Sequence, residues 1–452
     1  MFRRSLVVAL AVVLTPLAAQ AEDLLQVYEL ARSGDTQLSA AESNRLYTKE
    51  GQVQARAALL PQIGGQASFS RSRSDLDGIS GSYTSKSRNV GVSGSQTLFN
   101  WSQFARLRAE RDLSKAADFT LESANDELIV RTAATYFNVL VAIESLSAAQ
   151  TNEAAAKKQF DYADKRLEVG LAPITDVHEA RAQFDQARAD TILARNALED
   201  AYQALTELTG QPVRNLKGLP ADFRPELPAN RANVDQLVTS AVATNPALKA
   251  LELQVSAAES GVSAARGGHY PSLSLGANVG KSATWGDSIG GSSRSPNATS
   301  NSIELTLNVP IFAGGAVQSG VRQALAQRDI AQDQYEQQRR ALDRNTRNGW
   351  QTLVAGISEV EARRLAVVSA QAAYDASQVG LEVGTRTVLD LVQNQRTLYA
   401  AQLNYAQARY NYLQNRLQLS YALGDLDVTE VQDINRLLTQ NAEAPLAPQS
   451  AQ

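Results

Sequence analysis

The chain has 452 residues, with 43 Lys and Arg against 47 Asp and Glu, a net charge of −4, and no cysteine. The missing thiols exclude a disulfide scaffold, a thiolate metal site, a cysteine nucleophile and a lipid-modified N-terminal cysteine. The acidic balance argues against nucleic acid as a partner, and the length allows two or three domains.

The first residues, MFRRSLVVALAVVLTPLAAQA, combine Arg3 and Arg4, an apolar run and a small-x-small ending at Ala19-Gln20-Ala21. Residues 1–21 therefore read as a secretory signal peptide, its apolar core being too short for a membrane anchor. Without it the chain keeps 41 basic against 47 acidic residues. No later segment has eighteen apolar residues in succession, so an exported chain without a transmembrane helix is expected, while transmembrane strands stay open.

Residues 22–210 read as a helix, strands at 62–72 and 88–98, a long helix at 101–168, a tip at 169–175 and a helix at 176–209. In the strands Ile63, Ala67 and Phe69, then Val90, Val92 and Leu98, mark one apolar face. The polar, Gly/Ser-rich SDLDGISGSYTSKS (Ser74–Ser87) between them reads as a loop. Residues 211–231, rich in Pro and Asn, form a linker. Residues 232–424 then repeat the plan: helices, strands at 271–281 and 301–311, a long helix at 315–381, a tip at 382–387 and a helix at 388–423. Here the alternation is clearer: Leu273, Leu275, Ala277 and Val279, then Ile303, Leu305, Leu307, Val309 and Ile311. Residues 282–300 read as the matching loop. A segment at 425–438 follows, and 439–452, NAEAPLAPQSAQ with its neighbours, reads as a disordered tail.

The repeat is explicit. LEVGLAPITD (Leu167–Asp176) returns as LEVGTRTVLD (Leu381–Asp390), 214 residues later. DTQL at Asp35 matches NPAL at Asn245, and Leu208-Thr209-Gly210 matches Ala422-Leu423-Gly424. Two copies at so long a period indicate a duplication rather than a solenoid.

Strands of about ten residues suit a tilted membrane crossing; a small soluble sandwich edge covered by helices is the alternative. Four strands cannot close a barrel in lipid, where an open edge leaves backbone groups unsatisfied. If the strands span a membrane, three chains must pool them into twelve. Each long helix would measure about 100 Å at about 1.5 Å per residue, which calls for coiled-coil packing. Tyr399, Leu403, Ala406, Tyr410, Leu413 and Leu417 step by four and three, as do Ala187, Thr191, Ala194, Leu198, Ala201, Leu205 and Leu208. Gly170 and Gly384 each sit where a long helix ends and a shorter one begins, as left-handed caps do. Each tip is thus the turn of a helical hairpin, expected at the end away from the strands.

These paired VGL and VGTRT tips, the ARAQFDQA and ARYNYLQN runs after them, the duplicated strand-loop-strand inserts and the signal peptide resemble the TolC-type outer-membrane channel family. The resemblance covers the mature chain to about Leu438. It implies a mainly α fold with a membrane β-barrel: a homotrimer with a twelve-stranded outer-membrane barrel, continuous with a periplasmic α-helical barrel of coiled coils. The linker at 211–231 and the segment at 425–438 would form an equatorial belt. It further implies an exit duct for drugs, small toxic molecules and proteins, lying in the outer membrane of a Gram-negative cell with a large periplasmic portion. Implied partners are outer-membrane lipid, a periplasmic adaptor (membrane fusion) protein and an inner-membrane pump of the RND, ABC or MFS type. A dedicated type I protein-secretion component is the alternative.

The resemblance also implies a gate at the tips. Arg386 would bond Thr175 and Asp176 of a neighbouring hairpin, Gln159 would add a constraint, and three copies of Asp390 would ring the opening. Such a ring favours cations and invites block by multivalent cations. The family's second acidic position is Gln393 here, and a gate tyrosine is Leu381. Val169, Gly170 and Leu171 with Val383, Gly384 and Thr385 would form the adaptor-docking tips.

Other signals are weak. His178 and His269, the two histidines, lack an HExxH or nucleophile-elbow context, so no catalytic residue, cofactor or metal is expected and the chain reads as no enzyme. GDSIGGSSRS lacks the ending of a phosphate loop. Trp101, beside a strand end, is the best candidate among Trp101, Trp285 and Trp350 for an interfacial girdle. A periplasmic adaptor coiled coil would lack the duplicated strand hairpins.

Overall fold

A computed structural model describes residues 22–75, 82–227, 233–288, 291–294 and 297–446. The expected signal peptide, residues 1–21, lies outside them. So do part of each loop, the end of the linker and the last six residues. Compactness divides the chain differently from its repeat. One unit comprises Met1–Leu38, Asn125–Ser240 and Asn345–Gln452; the other comprises Ser39–Ala124 and Ala241–Arg344. Each unit collects matching pieces of both copies.

The second unit holds the sheet. Strands β1 (Gln62–Asp75) and β2 (Ser82–Phe99) form an antiparallel hairpin, and β2 pairs with β4 (Ser272–Ser288). Both β5 (Gly291–Arg294) and β6 (Ala298–Asn308) pair with the far side of β4, so they act as one interrupted fourth strand. The strands run well into the segments read as loops. In β1 and β2 those stretches alternate Ser or Thr with Arg, Lys or Tyr, so they keep the period of a strand while losing its apolar signal. At the other end β6 stops at Asn308 rather than 311, because Pro310 has no N–H to offer the ladder. Register places Ile63, Val92, Val279, Ile303, Leu305 and Leu307 on one face. That face is bare within the chain: Ile63 is 79% and Ile303 82% exposed. The other face carries Ser, Asn, Thr and Gly.

Helix α6 (Pro246–Arg266) enters β4 and helix α3 (Trp101–Glu168) leaves β2. Trp101 joins them: its indole Nε1 donates to Ser263 Oγ (3.1 Å), and its ring meets Tyr270 edge-on at 6.0 Å. Asn245 caps α6 by accepting from Leu248 N (3.1 Å). Its sequence counterpart Asp35 does the same between α1 (Leu24–Gly34) and α2 (Thr36–Ala57), accepting from Leu38 N at 3.0 Å. Among the described residues one helix, α3, has an eighteen-residue window apolar enough to cross a bilayer, and half of that window is buried in the fold, as a core helix requires.

The first unit is built from the later parts of α3 and α7 (Ala316–Glu382) with α4 (Ile174–Thr209) and α8 (Val388–Leu423). The heptad seams are inside: Ala187, Thr191, Leu198 and Leu205 on α4, and Ala406, Tyr410, Leu413 and Leu417 on α8, are buried. Around them, Phe137 stacks on Tyr410 at 5.9 Å. Two buried phenols tie in the linker. Tyr136 donates to Lys217 O (2.8 Å) and accepts from Lys217 N (3.1 Å), and Tyr410 accepts from Leu219 N (3.5 Å) and donates to Glu144 Oε1 (2.8 Å). Burial pushes both phenols up, so they stay protonated. Arg409, 6% exposed, pairs with the other oxygen of Glu144.

The sequence reading leaves 439–452 disordered; residues 440–443 correct it, while 447–452 lie outside the described residues. Strand β7 (Gln440–Asn441) pairs with β3 (Lys217–Gly218) in the linker, and Ala442 N donates to Leu216 O at 2.9 Å. The Glu443 carboxylate accepts from Asn215 N (3.0 Å) and from the Tyr202 hydroxyl. The linker backbone needs partners, and the tail supplies them from more than 220 residues away, beyond the reach of a local sequence pattern.

Candidate functional site

Both tips belong to the first unit and share one backbone design. After α3, Gly170 turns left-handed (φ 74°), with its N–H donating to Leu167 O (2.9 Å) and Leu171 N donating to Arg166 O (2.8 Å). After α7, Gly384 does the same (φ 80°): its N–H donates to Leu381 O (3.2 Å) and Thr385 N to Gly380 O (2.8 Å). A side chain strains this conformation, which is why the phrase places Val-Gly at the same point twice.

The restarts differ. Pro173 starts α4 without a side-chain cap, leaving Thr175 exposed and Asp176 half-buried in the first turn. Thr387 starts α8 with a capping box: its N–H and hydroxyl donate to Asp390 Oδ2 (3.0 and 2.9 Å), and Asp390 N donates to Thr387 Oγ1 (3.2 Å). These bonds, with Arg386 nearby, hold the Asp390 carboxyl below its ordinary range. Asp390 is thus fixed and ionised. The [ST]-x-x-[DE] pattern was legible in Thr387–Asp390; the family reading passed over it.

Small apolar clusters close each hairpin. Ala163, Val177 and Ala180 pack with Phe160 and Leu167 in the first. Leu381, Val388, Leu391 and Val392 pack with Tyr374 in the second. Leu381 is therefore a core residue with no hydroxyl to bond. Gln393 is exposed. Outside the clusters, Val169 (67%), Leu171 (68%) and Val383 (68%) face solvent.

Arg386 is exposed, and among the described residues its guanidinium makes no hydrogen bond or ion pair. Within one chain it does not meet Thr175 or Asp176. Gln159 is buried (9% exposed), yet its amide Nε2 has no hydrogen-bond partner among the described residues. It lines a groove of about 860 Å³ with Tyr162, Tyr374, Gln378, Leu381 and Glu382.

Four polar residues here escaped the sequence reading. Arg396 donates to Gln183 Oε1 (3.0 and 2.6 Å), and Gln395 Nε2 donates to Asn152 O and Oδ1 (3.0 and 2.8 Å). They tie α8 to α4 and α3, so one hairpin does not move freely of the other. Polar residues on the apolar side of a long helix were the available signal. His178 and His269 are exposed, and among the described residues no cluster of three His, Asp or Glu could hold a metal.

Paired long-helix hairpins in one unit and a sheet with one bare apolar face in the other are the parts of an outer-membrane channel. The sequence profile described as "Outer membrane efflux protein" matches residues 27–211 and 237–425. The chain is 35% identical to the outer membrane protein TolC of Escherichia coli over 431 residues, 93% of this chain and 86% of that protein. It is 28% identical to the alkaline protease secretion protein AprF of Pseudomonas aeruginosa, over 90% of this chain and 86% of that protein. The solved outer membrane channel CmeC of Campylobacter jejuni superposes with a TM-score of 0.75 at 19% identity, covering 93% of this chain and 90% of that one. The chain belongs to the outer membrane efflux protein family. It is a transport channel of the Gram-negative outer membrane with a large periplasmic portion, and not an enzyme. Its fold is that of trimeric channels with a β-barrel and a helical barrel, which work with adaptor and inner-membrane pump partners.

Proposed function

We propose that the hairpin tips form the gate of this exit duct and its docking surface for a periplasmic adaptor. The observation that carries this reading is the unpaired, exposed guanidinium of Arg386 beside a capped and ionised Asp390. In the trimer Arg386 reaches Thr175 and Asp176 of a neighbouring hairpin, and Gln159 turns its unpartnered amide to a facing helix. An exposed ion pair contributes about 0.2–1 kcal/mol, so three symmetric pairs bias closure without locking it. A partner that binds the open arrangement more tightly then opens the duct. With Leu381 and Gln393 in place of polar gate groups, the closed state has fewer polar constraints and one acidic ring. Val169, Leu171 and Val383 offer apolar groups around two glycine turns, where a partner hairpin can approach closely.

The pump behind the adaptor is of the RND, ABC or MFS type. Likeness to a protease secretion protein supports an ABC-driven protein-secretion role beside drug efflux. Planar-bilayer recordings of purified trimers test the gate: Arg386→Ser raises single-channel conductance. Unchanged conductance removes Arg386 from the gate.

A further inference from the structure

The apolar face of the sheet changes character toward its hairpin end, away from the helices that enter β1 and leave β2. Arg71 stands directly opposite Lys86, and Lys86 opposite Trp285. One row nearer the helices Arg88 lies between Phe69 and Ala283; beyond the first row Arg73 faces Thr84, and Lys281 faces Val90. Paired residues share a face and faces alternate every second residue. All five cations therefore lie on the face of Ile63, Val92, Val279 and Ile303, which a barrel turns to lipid.

Their depth is informative. The ten steps from Leu273 to Ala283 rise about 34 Å along the strand, or about 24 Å along the membrane normal at a tilt of about 45°. The apolar band of outer-membrane barrels is about 25 Å tall. Arg88, level with Ala283, and the Arg71–Lys86 row beyond it thus stand where the hydrocarbon ends, beside the aromatic pair Phe69–Trp285 at 6.1 Å, with Lys281 one row inside the band.

Charge balance gives a second, independent sign. Like charges directly opposite each other destabilise a sheet, yet Arg71 and Lys86 are held in that relation. Arg71, Arg73, Arg88 and Lys281 are exposed, and among the described residues none of the five cations enters an ion pair. A bridging anion resolves the repulsion, and at this height on a lipid-facing wall the anion on hand is a headgroup phosphate. The geometry points to a binding site, on the outer rim of each protomer, for phosphate groups of outer-leaflet lipid. The Arg forks take phosphate oxygens in pairs, and Lys86 adds a point charge between them. Phe69 and Trp285 seat the acyl-headgroup boundary.

The test uses the full trimer in vesicles of phosphatidylethanolamine doped with a diphosphorylated glucosamine lipid, its dephosphorylated form, or nothing. Lipid retained on the trimer after dilution into lipid-free detergent is counted by mass spectrometry. The wild type retains the diphosphorylated lipid in preference to the dephosphorylated one, and Arg71→Ser/Lys86→Ser weakens retention at least about tenfold. Arg339→Ser/Arg340→Ser, a charge-matched change on α7, leaves it unaltered. Equal retention of phosphorylated and dephosphorylated lipid by the wild type overturns the proposal and needs no variant that could misfold. Retention abolished by millimolar inorganic phosphate, or unaffected by the double substitution, overturns it too.

Discussion

Arg386 lies across Gly380: a methyl group at position 380 would sit 2.6 Å from the Arg386 Cγ and 3.3 Å from Thr385 Oγ1. Gly380 O also accepts from Arg386 N at 3.1 Å. The missing side chain on the last turn of α7 is what lets the arginine stem lie flat on the hairpin. Gly380→Ala should therefore displace Arg386 without removing its charge. A glycine-to-alanine change inside a helix ordinarily gains about 0.5–1 kcal/mol. If Arg386 gates, this variant combines an unchanged or raised melting temperature with raised conductance, in the direction of Arg386→Ser but smaller. Conductance equal to wild type would show that the seat of the stem is immaterial.

Asp390 does two things that substitution can separate. As a cap it serves α8 of its own chain; as a charge it would serve the proposed ring. Thr387→Ala removes the N-cap at a cost of about 0.5–2 kcal/mol per chain and leaves the carboxylate. It should lower the melting temperature and keep block by multivalent cations. Asp390→Asn removes the charge and should abolish block. The carboxyl is held below its ordinary range by the Thr387 donors and then by Arg386. A lowered folded-state pKa means that its stabilising contribution is present above the unfolded carboxylate pKa and is lost as pH falls through the folded one. Block should thus persist through mildly acidic pH and fade only below the usual carboxylate range. Fading near neutrality would assign it to another group.

Gly170 and Gly384 both have positive φ and open space around them. Alanine at either meets no neighbour, so its penalty is the left-handed backbone alone, about 1–2 kcal/mol. Arginine has that same strain and adds a bulky charge to the proposed docking face. We expect Gly170→Arg and Gly384→Arg to abolish drug efflux in cells while heat-sensitive trimers form normally, and the alanine variants to retain most efflux. Full resistance in cells carrying Gly384→Arg would count against docking at this tip.

What the sequence disclosed and what it hid follow one rule. Features set by neighbours in sequence were readable: the Val-Gly turns at Gly170 and Gly384, the alternation through Leu273–Val279, and the four-three steps through Tyr410 and Leu417. Features set by distant partners were not. Gln395 finds Asn152 across 243 residues and Arg396 finds Gln183 across 213, and nothing local marks either pair. The outer halves of β1 and β2 were hidden for a different reason. Arg71 and Arg88 stand at the ends of the stretches read as strands, and beyond them Arg73 and Lys86 replace the apolar residues that make alternation visible, so the continuation of each strand reads as a loop. The contacts proposed for Arg386, Thr175 and Asp176 are not made within one chain, and no single sequence spells out a neighbour.

The tail gives the last prediction. Glu443 accepts from the Tyr202 hydroxyl and from Asn215 N, while β7 covers β3. A chain ended after Leu438 removes all of these at once. It strands a buried phenol and several linker N–H and C=O groups, and each one left without a partner costs about 1–3 kcal/mol where water is excluded. Trimers of the truncated chain should dissociate at a clearly lower temperature on gels without boiling, whereas a chain ended after Leu446 should match the full-length protein. Glu443→Gln separates the contributions: the amide still accepts from Asn215 N but loses the charge that strengthens the phenol bond, so its loss should fall between the two. Equal dissociation temperatures for the chains ended after Leu438 and Leu446 would make the strap dispensable.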